Sequence, residues 1–428
     1  MPQKQSTADL LQNVNPSQQE AIQHLEGPLL VLAGAGSGKT RVVTRRIAWL
    51  LTQGVRPSNI LALTFTNKAA GEMRRRVEQL TSHQGIWVST FHSTGARLLR
   101  RYINRLGRDS GFTIFDSDDK AKLIKQAVSA LELDPKQWTP GMLGGPISNA
   151  KNGLKSVEEF TEEKEHDFYG QTVAKIYGKY EELLEKNNGL DFDDLLVKLL
   201  QVLVDHEDVL VKLQNRFKFI LIDEYQDTNR VQYSIAQLLS AAHRNLHVTG
   251  DPDQSIYSWR GADIRNILDF EKDYSETRVV KLEQNYRSTK NILAAANGMI
   301  RHNQKRKEKD LWTENADGDR TRLSFCEDEQ DEAMRVATRI EVLRQNGFKL
   351  TDMAIFYRTN AQSRVIEQAL IETGTNYVVV GGVAFYERKE VKDILAYVRC
   401  VVNPRDDISV ERIINVPVRS IGKTTIQA

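Results

Sequence analysis

The sequence predicts an α/β protein with a parallel sheet, a helical insertion and a second α/β region. Short runs rich in Val and Ile alternate with longer helical patterns, which is typical of parallel βαβ units. A chain of 428 residues is also too long for a single core and indicates several domains. The predicted strands of the first region are 29–33, 60–65, 86–90, 219–223, 246–250 and 279–283.

Helical patterns lie between most of these strands, for instance at 39–51, 67–80 and 231–242. From about 113 to 215 the chain shows amphipathic helical spacing without buried-strand runs, which predicts an inserted helical subdomain. A second α/β rhythm begins near 290. Its predicted strands are 323–327, 353–358 and 377–382, and its predicted helices are 330–345, 361–373 and 387–402.

Composition favours a cytoplasmic protein. Hydrophobic residues make up 40% of the chain and charged residues 27%, and 59 Lys+Arg against 57 Asp+Glu give a net charge of +2. That balance neither requires nor excludes nucleic acid, because a local basic stripe can sit within a neutral total. Cys326 and Cys400 lack metal-ligand spacing and fit a reducing compartment. We expect no signal peptide and no membrane span, since no apolar run approaches about 20 residues.

A phosphate-binding loop is predicted in "LLVLAGAGSGKT", where an apolar strand leads into a Gly-rich turn and a helix. Glycines let backbone N–H groups wrap phosphate oxygens, and the helix N-terminus adds favourable partial charge. Lys39 would reach the terminal phosphates and the Thr40 hydroxyl would hold Mg²⁺. The alternative is a chance Gly-rich turn. The candidate ATP-binding residues here are Ala33, Gly34, Ala35, Gly36, Ser37, Gly38, Lys39 and Thr40, with Arg41 a weaker candidate.

The loop departs from the strict pattern at one place, because Ala33 stands where the first glycine is usual. That residue closes the strand and needs no glycine if its φ is negative. A second Gly-Lys-Thr at 422–424 is rejected as a phosphate loop, since no apolar strand precedes it.

An acidic strand end follows in "FKFILIDEYQDTN". In nucleoside triphosphatases of this layout, an aspartate at a strand end binds Mg²⁺ and an adjacent glutamate polarises the attacking water. Asp223 and Glu224 are the candidates for these roles. Two neighbouring carboxylates at a solvated strand end remain the alternative interpretation.

The stretch "GDPDQSIYSWRGAD" places polar and aromatic side chains within a few residues of each other. Gln254 follows the acidic end of a predicted strand, and Tyr257 and Trp259 come directly after it. A core position is the alternative for Trp259, although its neighbours Ser258, Arg260 and Gly261 disfavour full burial.

Together the motifs resemble those of superfamily 1 helicases of the UvrD/Rep/PcrA type. "AGAGSGKT", "TFTNKAA", "STFHS", "DFDDLL", "DEYQDTN", "GDPDQSIYSWRGA" and "LEQNYRST" occur in this order, and "YRTNAQSRVIE" and "GGVAFYERKEVKDILAY" extend the resemblance into the second α/β region. The resemblance covers about residues 10 to 425. It implies an ATP-dependent motor that moves 3′ to 5′ on single-stranded DNA and unwinds duplexes during DNA repair or replication.

The resemblance also implies a domain plan, in which two RecA-like domains (1A and 2A) clamp ATP and carry helical inserts (1B and 2B). The expected bounds are 1–112 and 216–288 for 1A, 113–215 for 1B, 289–381 for the first part of 2A and 382–428 for the start of 2B. The implied cofactors are ATP and Mg²⁺. The implied partners are single-stranded DNA, single-strand/duplex junctions and repair or replication proteins, with no membrane and a nucleoid-associated location.

By motif match, Gln18 would read the adenine edge and Tyr286 would stack on the base. Gln254 would sense the γ-phosphate and Arg287 would contact it, which completes a catalytic set with Lys39, Asp223 and Glu224. Thr40 and Asp223 would hold the metal. The DNA-side candidates are Phe65, Asn67, His92, Tyr257, Trp259, Arg260, Tyr357, Arg358 and Asn360.

Several of these residues have ordinary alternatives. Phe65 and Tyr357 could be core residues at strand ends, and His92 could be a satisfied polar group. The basic run "RHNQKRKEKDLW" at 301–312 is interpreted first as a solvated helix end and second as a phosphate contact.

Two functions from different classes follow. The first is ATP-driven translocation on single-stranded DNA, and the second is a binding module that uses ATP only as a conformational ligand. A small-molecule kinase is disfavoured because it explains neither "SIYSWRG" nor "LEQNYRST". Relatives of this type return from 2B to finish 2A and supply a second arginine finger. We therefore expect a C-terminally truncated chain that binds ATP, with DNA as a candidate ligand, but hydrolyses and unwinds poorly.

Overall fold

The computed structural model describes residues 7–81, 83–303, 306–380, 388–422 and 425. The chain divides into two compact units. The first comprises Met1–Asp319 together with Leu395–Ala428, and the second comprises Arg320–Ile394.

A six-stranded sheet with parallel pairing throughout forms the centre of the first unit, in the order β3-β2-β6-β7-β1-β8. Each predicted strand of this region is confirmed to within one residue at either end. Those that lie inside the sheet are buried along their whole length, which explains their continuous apolar runs. The sheet strands are β1 (Leu29–Ala33), β2 (Ile60–Thr64), β3 (Trp87–Thr90), β6 (Phe219–Ile222), β7 (Leu246–Gly250) and β8 (Arg278–Leu282), and a separate pair is β4 (Thr113–Ile114) with β5 (Gly189–Leu190).

The helices surround this sheet and build the insertion. In chain order they are α1 (Thr7–Leu11), α2 (Pro16–Gln23), α3 (Lys39–Thr52), α4 (Asn67–Leu80), α5 (Phe91–Tyr102), α6 (Ser117–Ala130), α7 (Pro140–Asn152), α8 (Val157–Glu163), α9 (Phe168–Lys186), α10 (Asp194–Asp205), α11 (Glu207–Arg216), α12 (Arg230–Ser240), α13 (Arg265–Leu268), α14 (Phe270–Asp273), α15 (Lys290–Ile300), α16 (Glu329–Gln345), α17 (Ser363–Glu372), α18 (Lys389–Val402) and α19 (Asp407–Ile413).

Both faces of the sheet are covered, and β6 shows how. Successive side chains of a strand point to opposite faces. Phe219 and Leu221 pack with residues of α3 and α4, such as Met73. Ile220 and Ile222 pack with residues of α5, α10 and α12 in the larger core. The three-layer arrangement follows from this alternation.

The helical insertion has a core of its own. It is formed mainly by apolar side chains of α6, α7 and α9, and Phe115 and Leu184 are among its members. Ile408 of α19 packs into the same core. Helices α10 and α11, which the sequence places in the insertion, instead pack into the core beneath the sheet. The domain bounds given above stay predictions.

A buried ion cluster joins the insertion to the sheet layer. The Lys151 ammonium, only 2% exposed, lies 2.6 Å from Glu181, 3.2 Å from Asp191 and 2.8 Å from Asp194. Burial lowers the pKa of Lys151, but Asp191 and the other carboxylates outweigh it and hold that pKa well above its usual value. The Tyr180 hydroxyl donates to Asp191 at 2.9 Å. The cluster therefore ties α7 and α9 to the start of α10.

The C-terminal helices also contact the insertion. The Asn403 amide donates to the Asn187 carbonyl at 2.8 Å and to the Thr113 hydroxyl at 3.0 Å. The Arg399 guanidinium pairs with Asp119 at 2.9 Å. The part of the chain predicted to begin 2B therefore packs against the helical insertion.

The predicted helices of the second α/β region are present, with α16 and α17 in the second unit and α18 largely in the first, but the predicted strands are not. Helices α16 and α17 pack together through Ala333, Ala337, Ala369 and Leu370, and α18 begins two residues after the predicted start. Residues 323–327, 353–358 and 377–380 form no strand, and residues 381–382 lie outside the described residues. A strand needs a neighbour for its backbone hydrogen bonds. The apolar side chains of these segments are 83–93% exposed at Leu323, Phe325, Phe356, Val378 and Val380.

Among the described residues, no helix combines the length and the apolar character that crossing a bilayer requires.

Replacing Lys151 by alanine should strongly destabilise the chain, by about 3–5 kcal/mol, because it leaves Asp194 buried without its paired cation, although Lys120 still lies 3.4 Å from Asp191. The free energy of unfolding from urea denaturation measures this. Lys155→Ala is the matched control, since Lys155 pairs with Glu163 on the surface. The control should change stability by about 1 kcal/mol or less. Equal effects of the two substitutions would contradict a structural role for the cluster.

Candidate nucleotide site and nucleic-acid interface

The predicted phosphate loop connects β1 to α3 in a conformation that requires glycine. Gly36 and Gly38 have φ angles of 70° and 91°, which side chains disfavour. The Ser37 hydroxyl donates to the Gly34 carbonyl at 2.7 Å and closes the turn. Lys39 is the first residue of α3, so the loop ends at a helix N-terminus whose N–H groups can bind an anion.

Three predicted catalytic residues meet above this loop. The Lys39 ammonium lies 2.9 Å from Glu224 Oε2 and 3.4 Å from Gln254 Oε1. These residues follow β1, β6 and β7, whose carboxyl ends lie at the same edge of the sheet. The Lys39 side chain is 11% exposed, so the contact is protected from solvent but reachable.

Asp223 occupies a buried position beside Thr40. Burial raises the pKa of the Asp223 carboxyl to about 6, and the neighbouring Glu224 adds to the rise. Lys39 and hydrogen bonds from the Glu224 N–H and the Thr40 hydroxyl oppose it. Because oxygen ligands suit Mg²⁺, which is usually bound by one or two carboxylates together with substrate phosphates, the adjacent Thr40 and Asp223 fit such an ion. Among the described residues, no group of three or more His, Cys, Asp or Glu side chains could hold a metal ion. Binding of Mg²⁺ at Thr40 and Asp223 would therefore need ligands from the substrate phosphates as well.

Glu224 is held in an unusual conformation. Its φ of 54° lies in the left-handed region, which is uncommon for residues other than glycine and often marks a functional site. The Gln226 amide donates to Glu224 Oε2 at 2.9 Å, and the Asp251 N–H donates to Gln226 Oε1 at 3.0 Å. The ends of β6 and β7 are therefore joined through one glutamine.

Tyr286 and Arg287 lie against the loop from β8. The Tyr286 N–H donates to the Gly36 carbonyl at 3.0 Å, and its hydroxyl accepts from the Asn15 amide at 2.9 Å. The Tyr286 side chain is 45% exposed, and its predicted stacking on a base stays a prediction. A Cβ atom added at Gly36 would lie 2.8 Å from the Arg287 Cβ, so Arg287 starts beside the phosphate loop and its side chain is exposed.

Gln18 supports the loop in this structure. Its side chain is fully buried, and its amide nitrogen donates to the Ser37 carbonyl at 2.8 Å. Its amide oxygen accepts from the Asn15 N–H at 3.2 Å in the capping box of α2. Contact with adenine stays a prediction. Arg41 is half-buried in the first turn of α3.

An aromatic cluster forms on the side of the sheet away from β8. The rings of Phe65 and Tyr257 are 4.5 Å apart, and those of Tyr257 and Trp259 are 6.4 Å apart. The Arg260 guanidinium lies 4.7 Å from the Trp259 ring centre. Trp259 is 65% exposed, which excludes the core alternative, and Phe65 is only partly buried.

His92 and Asn67 lie next to this cluster. Burial lowers the pKa of His92, Asp193 opposes the shift, and Arg260 adds to it, so His92 and Arg260 are electrostatic neighbours. The Ser93 hydroxyl donates to the Asn67 amide oxygen at 3.2 Å. Six of the nine predicted DNA-side residues thus share one region of the first unit.

The other three DNA-side candidates belong to the second unit. Tyr357 is partly buried there, and Arg358 and Asn360 are exposed. The Gln362 amide oxygen accepts from the N–H groups of Arg358 and Thr359, at 3.0 and 2.9 Å, and fixes this turn before α17. Their contact with DNA stays a prediction.

Comparison with known proteins identifies the family. The model of the UvrD/REP helicase N-terminal domain matches residues 14–275, and that of the UvrD-like helicase C-terminal domain matches residues 280–428. The chain belongs to the UvrD/REP helicase family. The resemblance inferred from the motifs is therefore confirmed.

Three relatives named ATP-dependent DNA helicase PcrA illustrate the similarity. The Staphylococcus epidermidis protein is 50% identical over 421 residues, which are 98% of this chain and 58% of that protein. The Bacillus subtilis protein is 51% identical over 422 residues, 98% of this chain and 57% of that protein. The Staphylococcus aureus protein is 49% identical over 421 residues, with the same coverage as the first. The chain thus spans less than two thirds of the length of these relatives.

Within the UvrD/REP fold of this chain, strand order separates the two sets of residues. The loop residues and Tyr286 follow β1 and β8 at one end of the sheet, whereas Phe65 and His92 follow β2 and β3 at the other. The segment after β7 lies between them, with Gln254 directed to Lys39 and Tyr257 to Phe65.

Sequence reasoning missed Phe192, in the UvrD/REP motif "DFDDLL". Its ring lies 6.0 Å from that of His92, and it is 52% exposed. An aromatic residue among acidic ones was the available signal, since such a position is seldom a core position. Phe192 extends the aromatic cluster beyond His92.

Gly36→Ala should disrupt the nucleotide site. The new Cβ would lie 2.6 Å from the Asn285 amide nitrogen at a φ of 70°, so Asn285 and Tyr286 must shift. We expect a loss of about 1–3 kcal/mol in stability and weaker binding of a fluorescent ATP analogue. Gly71→Ala, at an exposed position of helix α4 with open space around its Cβ, is the control and should stabilise the chain by about 1 kcal/mol. Unchanged nucleotide binding in Gly36→Ala would refute the assignment of this loop.

Proposed function

We propose that this chain is the nucleotide- and single-strand-binding part of an ATP-dependent DNA helicase that translocates 3′ to 5′. One observation carries the proposal. The segment Gly250–Arg260 touches the Lys39 ammonium through Gln254 and the exposed aromatic cluster through Tyr257. A shift of a few ångströms at one end of so short a segment is transmitted to the other.

The nucleotide site supports hydrolysis of ATP by an in-line attack of water. The phosphate loop and Lys39 would bind the β- and γ-phosphates, and Thr40 and Asp223 would hold Mg²⁺, which neutralises developing charge when bound. Glu224 would orient the water as general base. In the structure Glu224 pairs with Lys39, so the arrival of a phosphate at Lys39 would release this carboxylate for the water.

Gln254 is suited to report the state of the γ-phosphate. Its amide oxygen faces the Lys39 ammonium at 3.4 Å, and its amide nitrogen donates to Asp251 at 2.6 Å. A phosphate on Lys39 would replace or redirect the first contact while the second holds the residue in the segment. Arg287, on the opposite side of the loop, would contact the same phosphate. Gln18 and Tyr286 would contact the adenine base.

The aromatic cluster suits a motor that steps along any sequence. Stacking of a base on an aromatic ring contributes about 1–3 kcal/mol and tolerates every base. Trp259 and Tyr257 offer such rings, and the Arg260 cation lies beside them. The net charge of +2 shows that the protein as a whole is not strongly basic. Binding of DNA would therefore depend on these local contacts.

The wider setting of the proposal rests on the relatives. They are named ATP-dependent DNA helicase PcrA, and we extend that activity to this chain. We also propose single-strand/duplex junctions as its substrate, repair and replication proteins as its partners and the cytoplasmic nucleoid as its location.

In a form extended at the C-terminus to the length of the relatives, Lys39→Ala should abolish ATP turnover stimulated by single-stranded DNA while binding of a labelled oligothymidine persists, because the phosphates lose their cation and the DNA cluster is untouched. A coupled ATPase assay and fluorescence anisotropy measure the two quantities. Lys218→Ala is the control, since Lys218 is exposed just before β6 at the opposite edge of the sheet. Tight binding of ATP and DNA without stimulated turnover in both the 428-residue chain and the extended form would favour the binding module over the motor.

Trp259→Ala should weaken binding of oligothymidine by about 5- to 150-fold, which corresponds to about 1–3 kcal/mol. Affinity for the ATP analogue and the thermal midpoint should remain near the unchanged values, because the ring is largely exposed. Ile256→Ala removes an exposed aliphatic side chain from the same segment and should have a smaller effect on the affinity for oligothymidine. Loss of the fold in Trp259→Ala, or equal effects of the two variants on DNA, would argue against stacking.

A further inference from the structure

The basic run at 301–312 contains a buried lysine. Helix α15 ends at Ile300, and Lys309 lies nine residues beyond it in a segment that is not helical. The Lys309 side chain is 3% exposed. Neither a solvated helix end nor a contact with a DNA phosphate, the two interpretations from sequence, describes this residue.

Lys309 is paired with the two carboxylates that follow β7. Its ammonium contacts Asp251 Oδ1 and lies 2.7 Å from Asp253 Oδ2. Arg306 approaches Asp253 at 3.3 Å. Two cations and two anions therefore balance in a site almost closed to water.

The partner Asp251 is in turn bonded to the nucleotide machinery. Its Oδ2 accepts from the Gln254 amide at 2.6 Å, and its N–H donates to Gln226, which holds Glu224. Lys309 itself touches neither Lys39 nor the loop. In this series of bonds, Asp251 alone separates Lys309 from Gln254, and Asp251 and Gln226 separate it from Glu224.

The residues after Lys309 contact two other parts of the nucleotide site. A Cβ atom added at Gly34 would overlap with the Leu311 side chain, so Leu311 packs directly on the phosphate loop. The Trp312 carbonyl accepts from the Asn285 N–H at 2.7 Å, next to Tyr286. The run 309–312 thus reaches the segment after β7, the phosphate loop and the turn after β8.

We propose that Lys309 is a positioning residue that fixes the segment 250–260 against the nucleotide site, so that binding of nucleotide is transmitted to the aromatic cluster. The inference deepens the proposed function and rests on it for the identity of the two ligands. Without the Lys309 cation, Asp251 and Asp253 repel each other in a buried site, and Asp251 no longer holds Gln254 at a fixed place. Each ligand would still bind, but binding of one would no longer favour or disfavour the other.

The test is the coupling between the two sites, measured on the whole 428-residue chain. The affinity for fluorescein-labelled oligothymidine is determined by anisotropy with and without a saturating non-hydrolysable ATP analogue and Mg²⁺. We expect the analogue to change the affinity of the unchanged chain by about five-fold or more. Lys309→Met should reduce that factor to less than about two-fold, while affinity for the analogue alone falls little. A merely structural role would lower stability without removing the coupling.

Two further variants keep the test decisive. Lys307→Met is the matched control, since Lys307 lies in the same run and pairs with Glu271 instead; its coupling should equal that of the unchanged chain. Should Lys309→Met not fold, Lys309→Gln takes its place, because it keeps an N–H donor beside Asp251 but removes the cation, and it is expected to fold with a reduced factor. Unchanged coupling in a folded variant that lacks the cation, or no coupling in the unchanged chain, overturns the inference. Stimulated ATP turnover is measured separately, on the form extended at the C-terminus. Its absence beside intact, Lys309-dependent coupling would overturn the motor function and leave the role of Lys309 standing.

Discussion

The parallel alignment of six strands is the constraint on which the rest of the molecule depends. Because all six carboxyl ends lie at one edge, loops that are far apart in sequence must meet there. Lys39, Glu224 and Gln254 come together only because β7 lies between β6 and β1. The same strand order places Phe65 and His92, which follow β2 and β3, at the other end of the row of strands. Fold and function are joined at this point, since a different strand order would separate the residues that the UvrD/REP motifs contain.

Two buried ion clusters hold the parts around the sheet in place, and they act differently. Lys151 faces three carboxylates and joins helices of the insertion to the sheet layer. Lys309 and Arg306 face two carboxylates within a segment that contacts the nucleotide site. Buried pairs of this kind add little net stability compared with apolar packing, but they allow only a narrow range of geometries. The first fixes the junction between the insertion and the sheet layer, and we propose that the second fixes the segment after β7 beside the phosphate loop.

The sheet of the first unit could be predicted from sequence because buried parallel strands are continuous apolar runs, as at 29–33. The motifs likewise predicted which residues meet at Lys39. However, the apolar pattern of a segment could not predict which other segment it packs against. Helix α10 has the amphipathic spacing of the insertion yet packs beneath the sheet, and the apolar run at 353–358 remains without a strand neighbour. Lys309 was missed because a lysine in a basic run is usually solvated, and only contact with Asp251 and Asp253 shows otherwise.

The bonds of Gln18 have a consequence for how the chain would discriminate between bases. Its one amide group links the start of α2 to the Ser37 carbonyl, and these bonds use one of its two N–H groups and one of the two lone pairs of its oxygen. An adenine edge would have to use the N–H group and the lone pair that remain. Because the internal bonds also fix which end of the amide donates, a purine with the reversed donor and acceptor pattern could be matched only by rotating the amide and breaking both bonds. Selectivity would then come from the cost of that rotation, which would also loosen the turn that surrounds the phosphates.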